Sequence, residues 1–140
     1  MVAGALYRPG DPRLVADRRR AQELMQAYNQ TIVGDETRLA ILQDLLGSGA
    51  ETASIRAPFF VDYGYNIHLA EGVFMNYGCV VLDICPIHIG ANTQIGPKVQ
   101  ILAADHPRDA ETRDQGLDFG QPNTIGRHVW SGGGAMILPG

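Results

Sequence analysis

The chain has 140 residues, enough for one domain that buries roughly 68–70% of its unfolded surface without a disulfide or metal staple. Its 15 acids and 11 bases leave a net charge of −4, and the whole acid excess falls after residue 57, which excludes the strongly basic footprint of a nucleic-acid binder. Hydrophobic residues at 45% exclude a disordered chain, and 17 Gly with 8 Pro announce many tight turns.

The first ten residues lack the apolar core of a signal peptide, and no run is apolar and long enough to span a membrane. Asp11-Pro12 predicts a helix start, with Asp as N-cap and Pro at the first helical position. Leu14, Val15, Leu24, Met25 and Tyr28 then fall on one helix face. By spacing alone, Arg18, Arg19 and Arg20 read as a solvated face. A second helix is predicted from near Asp35 through Leu39, Ile41, Leu42, Leu45 and Leu46, with Gly47 as its C-cap and GSGAETAS as a linker. Residues 1–57 are therefore read as a helical N-terminal region and residues 58–140 as a separate β region.

From Val61 the helical period gives way to a period of six. Val61, Ile67, Val73 and Cys79 keep it; after a shift at Asp83–Pro86, Ile89, Ile95 and Ile101 resume it; Ile125, Ser131 and Ile137 continue it. Gly follows the aliphatic residue in IGANTQ, IGPKVQ and IGRHVW. This is a hexapeptide repeat, which predicts a mostly β fold: a left-handed parallel β-helix in which each unit is a short strand plus a corner and three units close one coil. The shift predicts a small bulge. The stretch 104–124 has no such period and reads as a loop extruded from the coil. Cys79 and Cys85, the only cysteines, read as buried thiols of a cytoplasmic chain.

No phosphate-binding loop, dinucleotide fingerprint, zinc-protease motif or serine-hydrolase elbow is present. His106, in Ala104-Asp105-His106-Pro107, stands where coil yields to loop; an imidazole there has the chemistry of a general base. His68, His88 and His128 neighbour inward positions and should point outward, where they could ligate a metal. Asp62 and Asn76 fall at coil corners, where turn chemistry alone favours Asp and Asn. Trp130 is the sole tryptophan.

With AGALYRPGDPRLVADRRRAQELMQAYN, PFFVDYGYNIHLAEGVFMNYGCVVLDICPIHIG, the DHP motif and IGRHVWSGGGAMILPG together, the chain resembles the maltose/galactoside O-acetyltransferases of the hexapeptide-repeat superfamily. The resemblance implies an acetyl-CoA-dependent O-acetyltransferase acting on a sugar or similar small hydroxyl, a homotrimer with each active site between two subunits, and no metal. It implies His106 as catalytic base, Asn76, Asp62 and Arg18 lining the acceptor pocket with Asp83 beside it, and Trp130 and Gly133 along the acetyl-CoA groove. Arg8 and Pro9 depart from the family pattern, in which an acidic residue there helps bind the acceptor, and Ser131 puts a hydroxyl at an inward position. Relatives continue for further coils past ILPG, so residues 1–140 are expected to bind CoA weakly. The competing readings are an inactive trimeric scaffold of the same family and a metal-dependent lyase using His68, His88 or His128.

Overall fold

The computed structural model describes residues 1–140. The chain begins with helices α1 (Pro12–Asn29) and α2 (Thr37–Leu45). Short strands follow: β1 (Ser54–Ile55), β2 (Phe59–Val61), β3 (Ile67–Leu69), β4 (Phe74–Met75), β5 (Cys79–Leu82), β6 (Ile87–Ile89), β7 (Gln94–Ile95) and β8 (Gln100–Leu102). An excursion carries β9 (Ala104–Asp105), helix α3 (Ala110–Asp114) and β10 (Phe119–Gly120). The chain then returns through β11 (Asn123–Ile125), β12 (Trp130–Ser131) and β13 (Met136–Ile137). No helix is long and apolar enough to cross a membrane.

Helix α1 starts as its sequence dictates: the Asp11 carboxylate accepts from the Arg13 N–H at 2.9 Å, and Pro12 occupies the first turn. Helix α2 starts two residues later than the position of Asp35 suggests. The Asp35 side chain instead closes a turn on Thr37, accepting from its N–H at 2.9 Å and its hydroxyl at 2.6 Å. Gly47 is not a left-handed cap. Its N–H donates to Ile67 O at 3.0 Å, and a Cβ there would lie 2.3 Å from Tyr65 O, so glycine is required for close approach to the coil.

Three parallel sheets stack as the faces of a coil: β1-β4-β7-β12, β2-β5-β8-β13 and β3-β6-β11. In-register partners are 20 residues apart, as in Met75 with Ile95, Val81 with Ile101 and Ile67 with Ile87. That is two more than three six-residue units supply. The additional residues sit at one corner, after β2 (Asp62–Asn66) and again after β5 (Asp83–Pro86), so the single expected bulge is a feature of successive turns. The next passage through this corner, after β8, carries the excursion. Every departure from the regular coil thus falls on the same edge.

The inward ladder is closely packed: Ile67, Met75, Cys79, Val81, Ile87, Ile95 and Ile101 are fully buried. Ser131 continues the β4–β7 ladder opposite Ile95, and its hydroxyl is buried without a partner; such a group costs about 1–3 kcal/mol. At the other end, α1 closes the coil. Asn29 pairs with both backbone groups of Phe59, donating to its O and accepting from its N–H at 2.9 Å each, as a neighbouring strand would. The Tyr28 hydroxyl donates to Ile55 O, and Arg38 donates to that same O at 2.8 Å and to the Tyr28 hydroxyl at 2.6 Å. The helices therefore satisfy backbone groups that an open solenoid end leaves unpaired. One core of 25 buried hydrophobic residues runs through helices and coil together.

Candidate functional site

The segment 104–124 is more ordered than an extruded loop. Its two arms pair as an antiparallel ribbon, Asp105 opposite Phe119 and Ala104 opposite Gly120. Asp109 caps α3 by accepting from the Thr112 N–H at 2.7 Å. His106 follows β9 directly. Its backbone N–H donates to the Asp105 carboxylate at 2.7 Å, and that carboxylate also accepts from Arg108 at 3.0 Å.

The His106 side chain is 63% exposed, and Nδ1 lies 2.7 Å from Asp118 Oδ1. A carboxylate oxygen can only accept, so in the neutral imidazole Nδ1 carries the proton and Nε2 presents its lone pair. That is the tautomer a general base requires. Asp118 is itself held by backbone pairing with Tyr7: the Tyr7 N–H donates to Asp118 O at 2.9 Å, and the Asp118 N–H donates to Tyr7 O at 3.0 Å.

Three of the expected acceptor residues gather at the widened corner. Asp83 is fully buried and accepts backbone N–H groups from Asp62 at 3.2 Å, Tyr63 at 2.9 Å and Asn66 at 3.2 Å. Its carboxylate thus shapes the corner of the coil before it. Burial still outweighs these bonds and pushes its pKa up. The Asp62 carboxyl is pushed up to about 6, first by burial and then by the charge of Asp83, with Arg18 pulling the other way. It has no hydrogen-bond partner within the chain. Arg18 is not part of a solvated face: it donates to the Tyr63 hydroxyl at 2.8 Å and to Pro9 O at 2.7 Å. Of its two neighbours, Arg19 makes an exposed pair with Glu23 and Arg20 donates to Asp44 O. The Tyr7 phenol joins this group. Burial, and then the charges of Tyr63, Asp118 and Asp62, push its pKa up. Tyr7 and Asp118 carried no sequence signal that marked them. Asp118 was one of several acids in an aperiodic stretch.

Asn76 lies at a different corner, between β4 and β5. Its Oδ1 accepts from the Tyr77 N–H at 2.8 Å and from Arg56 at 3.3 Å, which leaves its Nδ2 donors free. Arg56 lies over the rings of Phe74 and Tyr77, 5.2 and 4.8 Å from their centroids. A cavity of about 770 Å³ opens beside this corner, bounded by Ile32, Val33, Arg38, Arg56, Phe74 and Tyr77, and does not reach His106. Trp130 is 78% exposed and pairs in register with Gln94, which pairs with Phe74. Gly133 packs against Pro97, where a Cβ would lie 3.2 Å from the proline ring. Asn76, Trp130 and Gly133 therefore share one region of the coil, and His106, Asp62, Asp83 and Arg18 share another. Within one chain the two sets do not meet.

His68 and His88 are register partners, and their rings stack at 4.8 Å. Burial, and then His88, hold His68 below the ordinary imidazole range. His128 occupies a left-handed turn position at φ 57°. Nowhere do three His, Cys, Asp or Glu side chains gather as a metal-binding group.

The maltose acetyltransferase hexapeptide capping motif matches residues 1–49. A maltose O-acetyltransferase from Clostridium difficile 630 superposes with a TM-score of 0.96 at 41% identity, over 99% of this chain and 75% of that one. The chain belongs to the maltose/galactoside O-acetyltransferase family. It is accordingly an acetyltransferase of the hexapeptide-repeat class, with α1 and α2 supplying the capping motif. Nodulation protein L of Rhizobium meliloti (strain 1021) is 46% identical over the whole chain and 77% of its own length. A galactoside acetyltransferase solved in complex with coenzyme A superposes with a TM-score of 0.74 at 26% identity, over 96% of this chain and 70% of that one.

Proposed function

We propose that this O-acetyltransferase moves the acetyl group of acetyl-CoA to a hydroxyl of a sugar or similar small acceptor, with His106 as general base. The observation that carries the reading is the 2.7 Å contact between His106 Nδ1 and Asp118, which leaves Nε2 free to take a proton. The coenzyme A complex of the related galactoside acetyltransferase supports the donor. A sugar hydroxyl is too weakly acidic to attack a thioester unaided. Nε2 takes the hydroxyl proton as the oxygen attacks the acetyl carbonyl. The tetrahedral intermediate then collapses, the C–S bond breaks, and the imidazolium returns the proton to the departing CoA sulfur. Holding both substrates in one cleft supplies up to about 7–11 kcal/mol of the barrier in favourable cases.

In this reading Asp62 and Arg18 line the acceptor pocket, with the unpaired Asp62 carboxylate taking acceptor hydroxyls and the buried Asp83 beside it holding the corner. Trp130 and Gly133 line the groove for acetyl-CoA. The coil is left-handed, the assembly is a homotrimer, and Asn76 of one subunit faces His106 of the next. The separation of the two residue sets within a chain supports that arrangement. The reading assigns the work to the cytoplasm, where acetyl-CoA is available.

Incubation with acetyl-CoA and a panel of mono- and disaccharides, read out as free thiol and as an acetylated sugar by mass spectrometry, tests the reading. Thiol release that depends on the sugar and matches ester formation one to one is expected. Acetyl-CoA left intact with every sugar tried would favour the inactive scaffold.

A further inference from the structure

We propose that Tyr7 is a positioning residue for the base: its backbone clamps Asp118, and Asp118 in turn aims His106. The inference rests on the reading of His106 as the base but concerns a different part of the chain. The His106 imidazole is mostly exposed, and its single side-chain hydrogen bond goes to Asp118. The aim of the ring is therefore only as good as the placement of that carboxylate. Asp118 stands on the returning arm of the excursion, just before β10.

Both backbone groups of Asp118 are spent on Tyr7, in reciprocal bonds of 2.9 and 3.0 Å. Residues before α1 thereby add a third antiparallel partner to the β9–β10 ribbon. The strap is anchored on both sides of Tyr7. Downstream, Pro9 O accepts from Arg18 on α1 at 2.7 Å. Arg8 reaches across to Gln115 O at 3.2 Å. Upstream, Met1 O accepts from the buried Cys85 thiol at 3.6 Å. A rigid path runs from α1 through Tyr7 and Asp118 to Nδ1 of the base, the arrangement in which a third group holds an imidazole in its working tautomer. The N-terminal segment thus does more than close the coil end: it sets the geometry of a group contributed by the other end of the chain.

A double-mutant cycle on the full chain tests this. Tyr7→Pro removes the N–H that Asp118 O accepts and should lower kcat/KM about tenfold. Asp118→Ala should lower it by more. Tyr7→Pro added to Asp118→Ala should then cost no more than Tyr7→Ala does there, which removes the phenol but keeps the N–H, because the rest of its effect has been routed through a group already absent. Tyr7→Gly, which keeps the N–H but loosens the strand, serves in the same cycle should the Pro variant not fold. A second readout does not need activity: in nitrogen NMR, the share of the neutral His106 ring that carries its proton on Nδ1 should fall in Tyr7→Pro as it does in Asp118→Ala. Unchanged kcat/KM in Tyr7→Pro, or a loss that adds in full to that of Asp118→Ala, would overturn the proposal. A normal rate in His106→Ala would instead overturn the assignment of the base and leave the NMR result standing, so the two failures are distinguishable.

Discussion

Replacing His106 by Ala lowers kcat by about 10²–10⁴-fold, the range over which a positioned general base accelerates proton transfer. The loss should come without unfolding, because the imidazole is mostly exposed and its single side-chain hydrogen bond goes to Asp118, which is not part of the buried core. Melting curves and oligomeric mass should match the parent. His68→Ala, His88→Ala and His128→Ala should each leave the rate within about twofold. His68 and His88 stack on another face of the coil, and His128 serves a corner turn. A loss in any of these three equal to that of His106 would revive the metal-dependent reading, and elemental analysis of the purified protein would then show a bound transition metal.

Asp62→Asn should move stability and activity in opposite directions. The folded protein holds the Asp62 carboxyl up near pH 6 against an ordinary 3.8. Between those values the folded state binds the proton more tightly than the unfolded chain does, so stability falls as pH rises through the window. Above pH 6 the penalty is present in full. The gap corresponds to at most about 3 kcal/mol, and screening of a half-buried group brings it to about 1–2 kcal/mol. The Asn variant escapes it. It should melt several degrees higher than the parent at pH 7 and no higher below pH 4. The same substitution removes a charged hydrogen-bond acceptor from the pocket, so kcat/KM for the acceptor should fall about 10–100-fold. Equal melting temperatures at pH 7 would show that Asp62 carries no such strain. An unchanged kcat/KM would remove it from the pocket.

The coil was legible because one inward aliphatic per six residues has a single structural meaning, and Val61, Ile67, Val73, Cys79, Ile89, Ile95 and Ile101 are all buried. Ser131 was legible for the same reason: its place in the period put an unpaired hydroxyl inside. The true advance of 20 residues per turn was harder to read. The two additional residues interrupt the period only once where it is otherwise clean, so a recurrent corner looks like an isolated bulge. That corner holds Asp62 and Asp83 and, one turn later, launches His106.

The grouping of Arg18 with Asp62 and Asp83 was legible only through resemblance. Nothing in the spacing of Arg18, Arg19 and Arg20 separates the one that turns inward to Tyr63 from the two that do not. Asp118 and Tyr7 were not legible at all. Their pairing spans almost the whole chain, and a backbone bridge places no demand on residue type that a sequence could display.

In the proposed homotrimer one catalytic centre is assembled from two chains. Asn76 and His106 sit at different corners of the same coil, with Asn76 presenting free amide donors and His106 a free Nε2. The direct measurement is subunit mixing. His106→Ala and Asn76→Ala chains, each nearly inactive alone, are unfolded together, refolded as a mixture and assayed for acetyl transfer. If His106 of one subunit works with Asn76 of the next, mixed trimers contain intact sites, and activity should return to a sizeable fraction of the parent's. A mixture no more active than its two components would contradict the account.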